Sequence, residues 1–178
     1  MKTQLVVTSV GEDKPGIVAR LTELFVDHGA NLEESRMAIL GGEFAAIMLV
    51  SLPEDKVEKL RGSLDKLTSE GLTVGCKQTR QSEKLKGRSS YTLSLQGADH
   101  EGIVHSVAST LRERDINIEA LETGVTPAPV TGTPLFSMTA TVQIPSTLRI
   151  GDLRATLDDI AKAEAVEITL ESKTANVG

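Results

Sequence analysis

Aromatic residues are nearly absent from this chain: there is no Trp, one Tyr and three Phe, 2% of its 178 residues. Any core must therefore be built from Val, Leu, Ile and Ala. Cysteine is equally scarce. The lone Cys76 allows no internal disulfide and no multi-cysteine metal site. It follows Val74 in a β-prone run and reads as a buried structural thiol. Positive charge is also short, with a net charge of −6. A direct DNA binder carries a basic face that neutralises phosphates, and none is visible. The closest approach is Arg80, Lys84, Lys86 and Arg88, in a polar stretch that reads as a solvated linker. Long apolar runs are missing too, with neither the hydrophobic region of a signal peptide nor a membrane-spanning segment. The expectation is a cytoplasmic protein without a membrane or nucleic-acid partner.

What is present is an ordinary globular composition, 39% hydrophobic and 25% charged, arranged as a repeat. Leu5–Glu33 aligns without a gap on Tyr91–Glu119, a shift of 86 residues. Gly11, Asp13, Gly16, Ile17, Val18, Asn31 and Glu33 fall on Gly97, Asp99, Gly102, Ile103, Val104, Asn117 and Glu119. Apolar positions coincide as well, Val7 with Leu93 and Phe25 with Leu111.

Within each copy the periods agree on one element order. Gln4–Val10 is a β-branched run closed by Gly11. Ile17, Leu21, Leu24 and Phe25 form a helical stripe. Asp13 is a candidate N-cap, Pro15 fits a first turn and Gly29 a C-cap. Leu32–Leu40 and Glu43–Ser51 flank Gly41-Gly42 as a hairpin. Pro53 opens a helix carried by Val57, Leu60, Leu64 and Leu67, and Leu72–Thr79 is a last strand. In the second copy Ser90–Gln96, Asn117–Val125, Pro134–Ile144 and Val166–Leu170 read as strands. Gly102–Arg114 and Leu148–Ala161 read as helices, and Thr126–Thr133 as a Pro/Gly-rich loop.

The fold class is α+β: two ferredoxin-like βαββαβ domains in tandem, each a four-stranded antiparallel sheet with two helices on one face. The domains span 1–80 and 90–171, joined by a linker at 81–89 and followed by a tail at 172–178. The sheet face without helices needs a cover or a polar surface. Cores this small are marginal alone, which makes docking of the domains or a homodimer the expected relief.

The turns "GEDKPGIV" and "GADHEGIV", with "GANLEE" and "DINIEAL" after the first helices, resemble those of the ACT domain, a regulatory module of amino-acid metabolism. The tandem, with "TPLFSMTATVQIP" in its second copy, resembles the glycine cleavage system transcriptional repressor group. That resemblance implies a non-catalytic regulator that senses glycine or a similar amino acid and acts through a protein partner, a DNA-bound activator. The alternative is a regulatory subunit, or effector-binding partner, of an amino-acid metabolic enzyme. The resemblance also implies that effector sites lie where domains meet, with both copies contributing.

The candidate ligand-binding residues are Gly11, Asp13, Gly16, Ile17 and Asn31, with Gly97, Asp99, His100, Gly102, Ile103 and Asn117. Each turn runs from a strand end to a helix N-terminus, where free N–H groups and the helix dipole favour a carboxylate. Glycine allows close backbone approach, an aspartate can meet an ammonium, and an asparagine offers both donor and acceptor. The same residues also fit a purely structural role as helix cap, turn glycine and loop asparagine. Gly11-x4-Gly16 is followed by Ile17-Val18 instead of Lys-Ser/Thr, so it is no phosphate loop. His28, His100, His105 and Cys76 lack metal-ligand spacing, and no nucleophile stands beside a base. No metal, cofactor or catalytic residue is expected.

Overall fold

The computed structural model describes residues 1–79, 86–128 and 132–173. The chain divides into two compact units, Met1–Glu83 and Lys84–Gly178. The first contains β1 (Lys2–Glu12), α1 (Ile17–Asp27), β2 (Asn31–Leu40), β3 (Glu43–Pro53), α2 (Val57–Asp65) and β4 (Leu72–Thr79). Short 3-10 turns at Glu54–Lys56 and Lys66–Glu70 flank α2. The second contains β5 (Arg88–Ala98), α3 (Ile103–Glu113), β6 (Asn117–Pro127), β7 (Pro134–Pro145), α4 (Ile150–Glu164) and β8 (Val166–Ser172).

Both sheets are antiparallel, in the orders β2-β3-β1-β4 and β6-β7-β5-β8. Alternation along the strands sends one set of side chains to the helices. In the first domain Leu5 and Val7 of β1 lie beside Val50 and Met48 of β3, all fully buried. Helix α1 meets them with Leu21, Leu24 and Phe25, and α2 with Leu60 and Leu64. In the second, Leu93, Leu95, Met138 and Val142 face Val107, Leu111, Leu153 and Leu157. Each such side chain contributes about 1.5–3 kcal/mol by leaving water, which holds both helices on one face as the periodicity requires. A β-bulge interrupts β2 between Leu32 and Glu34, and its repeat in β6 lies between Ile118 and Ala120. The extra residues are Glu33 and Glu119.

Several boundaries differ from expectation. The N-caps of α1 and α3 are Gly16 and Gly102, at φ 97° and 95°, and no side chain caps either helix. Asp13 and Asp99 are therefore not N-caps: they stand three residues upstream and make no capping hydrogen bond among the described residues. Pro15 lies in the turn before α1. Pro53 ends β3 and is followed by a 3-10 turn, and α4 starts at Ile150 instead of Leu148. Strand β6 runs to Pro127, into the expected loop, because the pairing with β7 extends to Pro127↔Pro134. Strand β5 takes in Arg88 and Ser89, expected as linker. The rest of that loop at 129–131, the linker at 81–85 with Arg80, and the tail at 174–178 lie outside the described residues.

Candidate functional site

The two repeated turns are built alike. Strand β1 ends at Glu12, and the Asp13 N–H donates to the Gly42 carbonyl at 2.9 Å. At the matching place the Asp99 N–H donates to the Pro134 carbonyl at 3.2 Å. The chain then turns through Gly16 or Gly102, whose positive φ is cheap only for glycine. A Cβ at either would meet nothing within 4 Å. Each turn thus presents open space over a helix N-terminus with no capping side chain, where an anion can accept from the backbone.

Gly11 and Gly97 have a different reason to be glycine. A Cβ on Gly11 would lie 2.5 Å from the Gly71 carbonyl oxygen, and one on Gly97 2.5 Å from Val166 Cγ1. Both let the neighbouring strand approach closely. Ile17 and Ile103 are buried core residues, so they offer the site only main-chain N–H groups. Asp13 and Asp99 are exposed.

The side chains between these shared residues differ. Lys14 pairs with Glu12 at 2.8 Å. That hydrogen bond, with the attached charge attraction, raises the Lys14 pKa and lowers that of Glu12. The repeat-equivalent His100 places Nδ1 3.2 Å from the Glu101 carbonyl oxygen and Nε2 3.1 Å from that of Glu164. Both carbonyl acceptors are satisfied at once only when the ring carries two N–H donors. The Glu101 carbonyl first and the Glu164 carbonyl second hold the His100 pKa above its ordinary value, with the Glu164 and Asp99 charges adding less. The ring thereby ties the turn to the end of α4.

Asn31 and Asn117 are not beside the turns. Asn31 stands across the sheet from Ser51 and Gln4, whereas the turn follows Glu12, eight residues further along β1. At about 3.3 Å per residue the separation is roughly 26 Å. Asn117, opposite Gln143 and Ser90, is displaced from its turn in the same way. One small molecule cannot touch both groups of a single domain.

A cavity of about 830 Å³ lies at this far end of the first domain. Lys2, Thr3, Gln4, Glu33, Ser51, Gln78 and Thr79 line it. Glu33 accepts from the Ser51 hydroxyl and, at 3.1 Å, from the Asn31 amide. These two bonds, then the charge of Lys2, hold its pKa below the usual carboxylate range. In the second domain Arg88 takes the place of Lys2 and turns its guanidinium to Asp115 and the Gln143 carbonyl. The cluster around Glu33 escaped sequence reasoning because it joins three strands at a bulge. The only local sign was Asn31 and Glu33 two positions apart. A smaller cavity of about 480 Å³, lined in part by Gln96, Gly97, Leu135 and Val166, adjoins the second turn. Among the described residues no group of three or more His, Cys, Asp or Glu is placed to hold a metal. No described helix is long and apolar enough to cross a membrane.

Two split βαβ units with glycine-bearing turns at the same places define a tandem of ACT domains. A family model described as the ACT domain matches residues 3–77, and the chain belongs to that family. The particular likeness is to the glycine cleavage system transcriptional repressor of Escherichia coli (strain K12). It is 30% identical over 125 residues, 70% of this chain and 66% of that protein. A solved structure of an unknown protein from Galdieria sulphuraria is 33% identical, covers 97% of this chain and 99% of that one, and superposes with a TM-score of 0.87. Phosphoserine phosphatase SerB2 of Mycobacterium tuberculosis is 26% identical over 174 residues, 96% of this chain but 41% of the phosphatase.

Proposed function

We propose that this chain is a cytoplasmic, non-catalytic amino-acid sensor that passes its state to a protein partner, as a homodimer and without touching DNA. The observation that carries the reading is the repeated uncapped helix N-terminus behind a left-handed glycine, kept in both copies while the neighbouring side chains change. A carboxylate is the ligand such a terminus favours, and Asp13 or Asp99 supplies the counter-charge for an ammonium. Because Asn31 and Asn117 stand at the opposite sheet ends, an asparagine that completes a site has to come from another ACT domain. The likeness to the repressor favours a DNA-bound activator as partner and glycine or a similar amino acid as effector. The likeness to SerB2, in which 41% of a phosphatase matches nearly this entire chain, supports the second reading, a regulatory partner of an amino-acid metabolic enzyme.

A thermal-shift screen of the standard amino acids, followed by calorimetry on hits, tests the sensing role. Glycine at about −1.5 kcal/mol per heavy atom reaches roughly −7 kcal/mol, so the expected Kd is about ten micromolar or weaker. Since neither aspartate caps a helix, Asp13→Asn and Asp99→Asn should leave melting unchanged. Each loses a charge-assisted hydrogen bond of about 1.5–3 kcal/mol, raising Kd at least tenfold. Parent-like binding by both variants would remove the carboxylates from the site. Copurification decides between an activator and an enzyme as partner.

A further inference from the structure

The two sheets differ on the face that carries no helices. In the first domain three cross-strand rows lie there: Lys77–Val6–Leu49–Glu34, Gly75–Thr8–Ile47–Arg36 and Thr73–Val10–Ala45–Ala38. Val10 and Ile47 are 47% and 50% exposed, on an apolar centre with charge only at the flanks. The matching rows of the second domain are Glu171–Thr92–Thr141–Ala120, Thr169–Ser94–Thr139–Glu122 and Glu167–Gln96–Ser137–Gly124. That face is polar and acidic, suited to water. The same fold has thus solved its open face in two ways, and only the first leaves an apolar centre flanked by charge.

We propose that the open face of the first domain docks on the same face of a second copy, about a two-fold axis running along the strands between β1 and β3. This rests on the dimeric part of the proposed function but not on amino-acid sensing. The operation lays β2 over the partner's β4 and β3 over the partner's β1, and every row then meets its own complement. Val6 sits over the partner's Leu49, Thr8 over the partner's Ile47 and Val10 over the partner's Ala45. Lys77, which makes no ion pair among the described residues, comes over the partner's Glu34. Arg36, paired with Glu34 of its own copy at 2.8 Å, comes over the partner's Gly75, where the neighbouring Thr8 hydroxyl is the closest side chain. Such a match of one patch to itself is what an isologous interface requires. Sheets packed this way lie about 10 Å apart. The apolar centre covers roughly 200 Å² per copy, from strand spacing and rise, so the contact belongs to the weak, concentration-dependent class. The helices of the first domain lie on the opposite face of its sheet.

The test is sedimentation velocity on the full chain over a wide concentration range, with variants that give the first domain the residues of the second. The parent should dimerise reversibly. Val10→Gln with Ile47→Thr, both at exposed positions, should weaken the dimer at least tenfold with an unchanged melting curve and unchanged amino-acid response. Lys77→Glu alone should also weaken it, and Lys77→Glu with Glu34→Lys should restore it, because the charge pair is then reversed on both sides. A parent that stays monomeric, or a dimer indifferent to Val10→Gln with Ile47→Thr, would overturn the docking. Failure of the double charge reversal to recover the dimer would overturn the two-fold pairing.

Discussion

The two domains share their ladders yet fill their cores from opposite sides. In the first, the sheet contributes Ser9 opposite Ala46, and the helix above contributes Leu24 and Phe25. In the second, the sheet contributes Leu95 opposite Met138, and the helix positions carry Thr110 and Leu111. Bulk moves from helix to sheet between the two copies. Repeat identity resides in the turns and the bulge, where backbone geometry restricts the residue, more than in the core, where one apolar side chain can replace another. The first domain bears a local cost for its solution. Ser9 is fully buried and its hydroxyl has no hydrogen-bond partner among the described residues.

This comparison can be broken most forcefully at Leu95→Ser, which puts the first domain's residue into the second. It leaves a cavity and an orphan hydroxyl without the larger helix side chains, and should cost about 4 kcal/mol. Urea unfolding followed by amide exchange in β5 and β7 measures it; a cost below 1 kcal/mol would show that the helix side chains do not set the core volume. Next in size is Gly11→Ala, which drives a Cβ against the Gly71 carbonyl and should cost about 3 kcal/mol. Gly97→Ala drives its Cβ against Val166 at Cγ1, Cβ and Cα, all within 3.0 Å, and a β-branched residue has little freedom to give, so the loss should be similar. A negligible loss at either position would show that β1 or β5 does not need the close approach.

The reverse experiment is smaller and of opposite sign. Ser9→Ala removes the unpartnered hydroxyl and should stabilise the first domain by about 1 kcal/mol, read from the same unfolding curves. A destabilised variant would mean that the hydroxyl has a partner such as a trapped water. The smallest effect belongs to pH. The His100 pKa is raised in the folded chain above its ordinary 6.5, so the stability it lends is complete below about pH 6.5 and is lost as pH rises through the folded value. Proton NMR of the ring should show a titration midpoint above those of ordinary histidines. In His100→Gln the slight loss of second-domain stability above pH 6.5 should vanish.

The strands, helices and tandem order were legible in the sequence because periods of two and 3.6 are imposed by burial, and both copies repeat them. The caps were misread. Aspartate before a helical stripe is the usual N-cap pattern, but a glycine at positive φ three residues later reorients the chain and takes the cap position itself. The candidate site was legible in its residues and not in its arrangement. Asn31 follows the same helix as the turn precedes, and only the antiparallel ladder reveals that an eleven-residue helix has carried it to the far sheet end. Glu33 with Ser51 and Lys2 depends on pairing between strands, for which no local spacing exists. The two natures of the open faces were written in the alternation of β1 and β5, Val6, Thr8 and Val10 against Thr92, Ser94 and Gln96, and needed the register to align the rows.

In the proposed sensor both repeated turns receive the carboxylate of an amino acid. Its most direct test is a two-dimensional amide NMR titration of the labelled full chain with the amino acid that gives the largest thermal shift. The N–H signals of Gly16, Ile17 and Val18 and of Gly102, Ile103 and Val104 should move together, saturate in the micromolar to millimolar range and stay unmoved by the corresponding amine without its carboxylate. Saturating shifts confined to other parts of the two domains, with both turns silent, would contradict it.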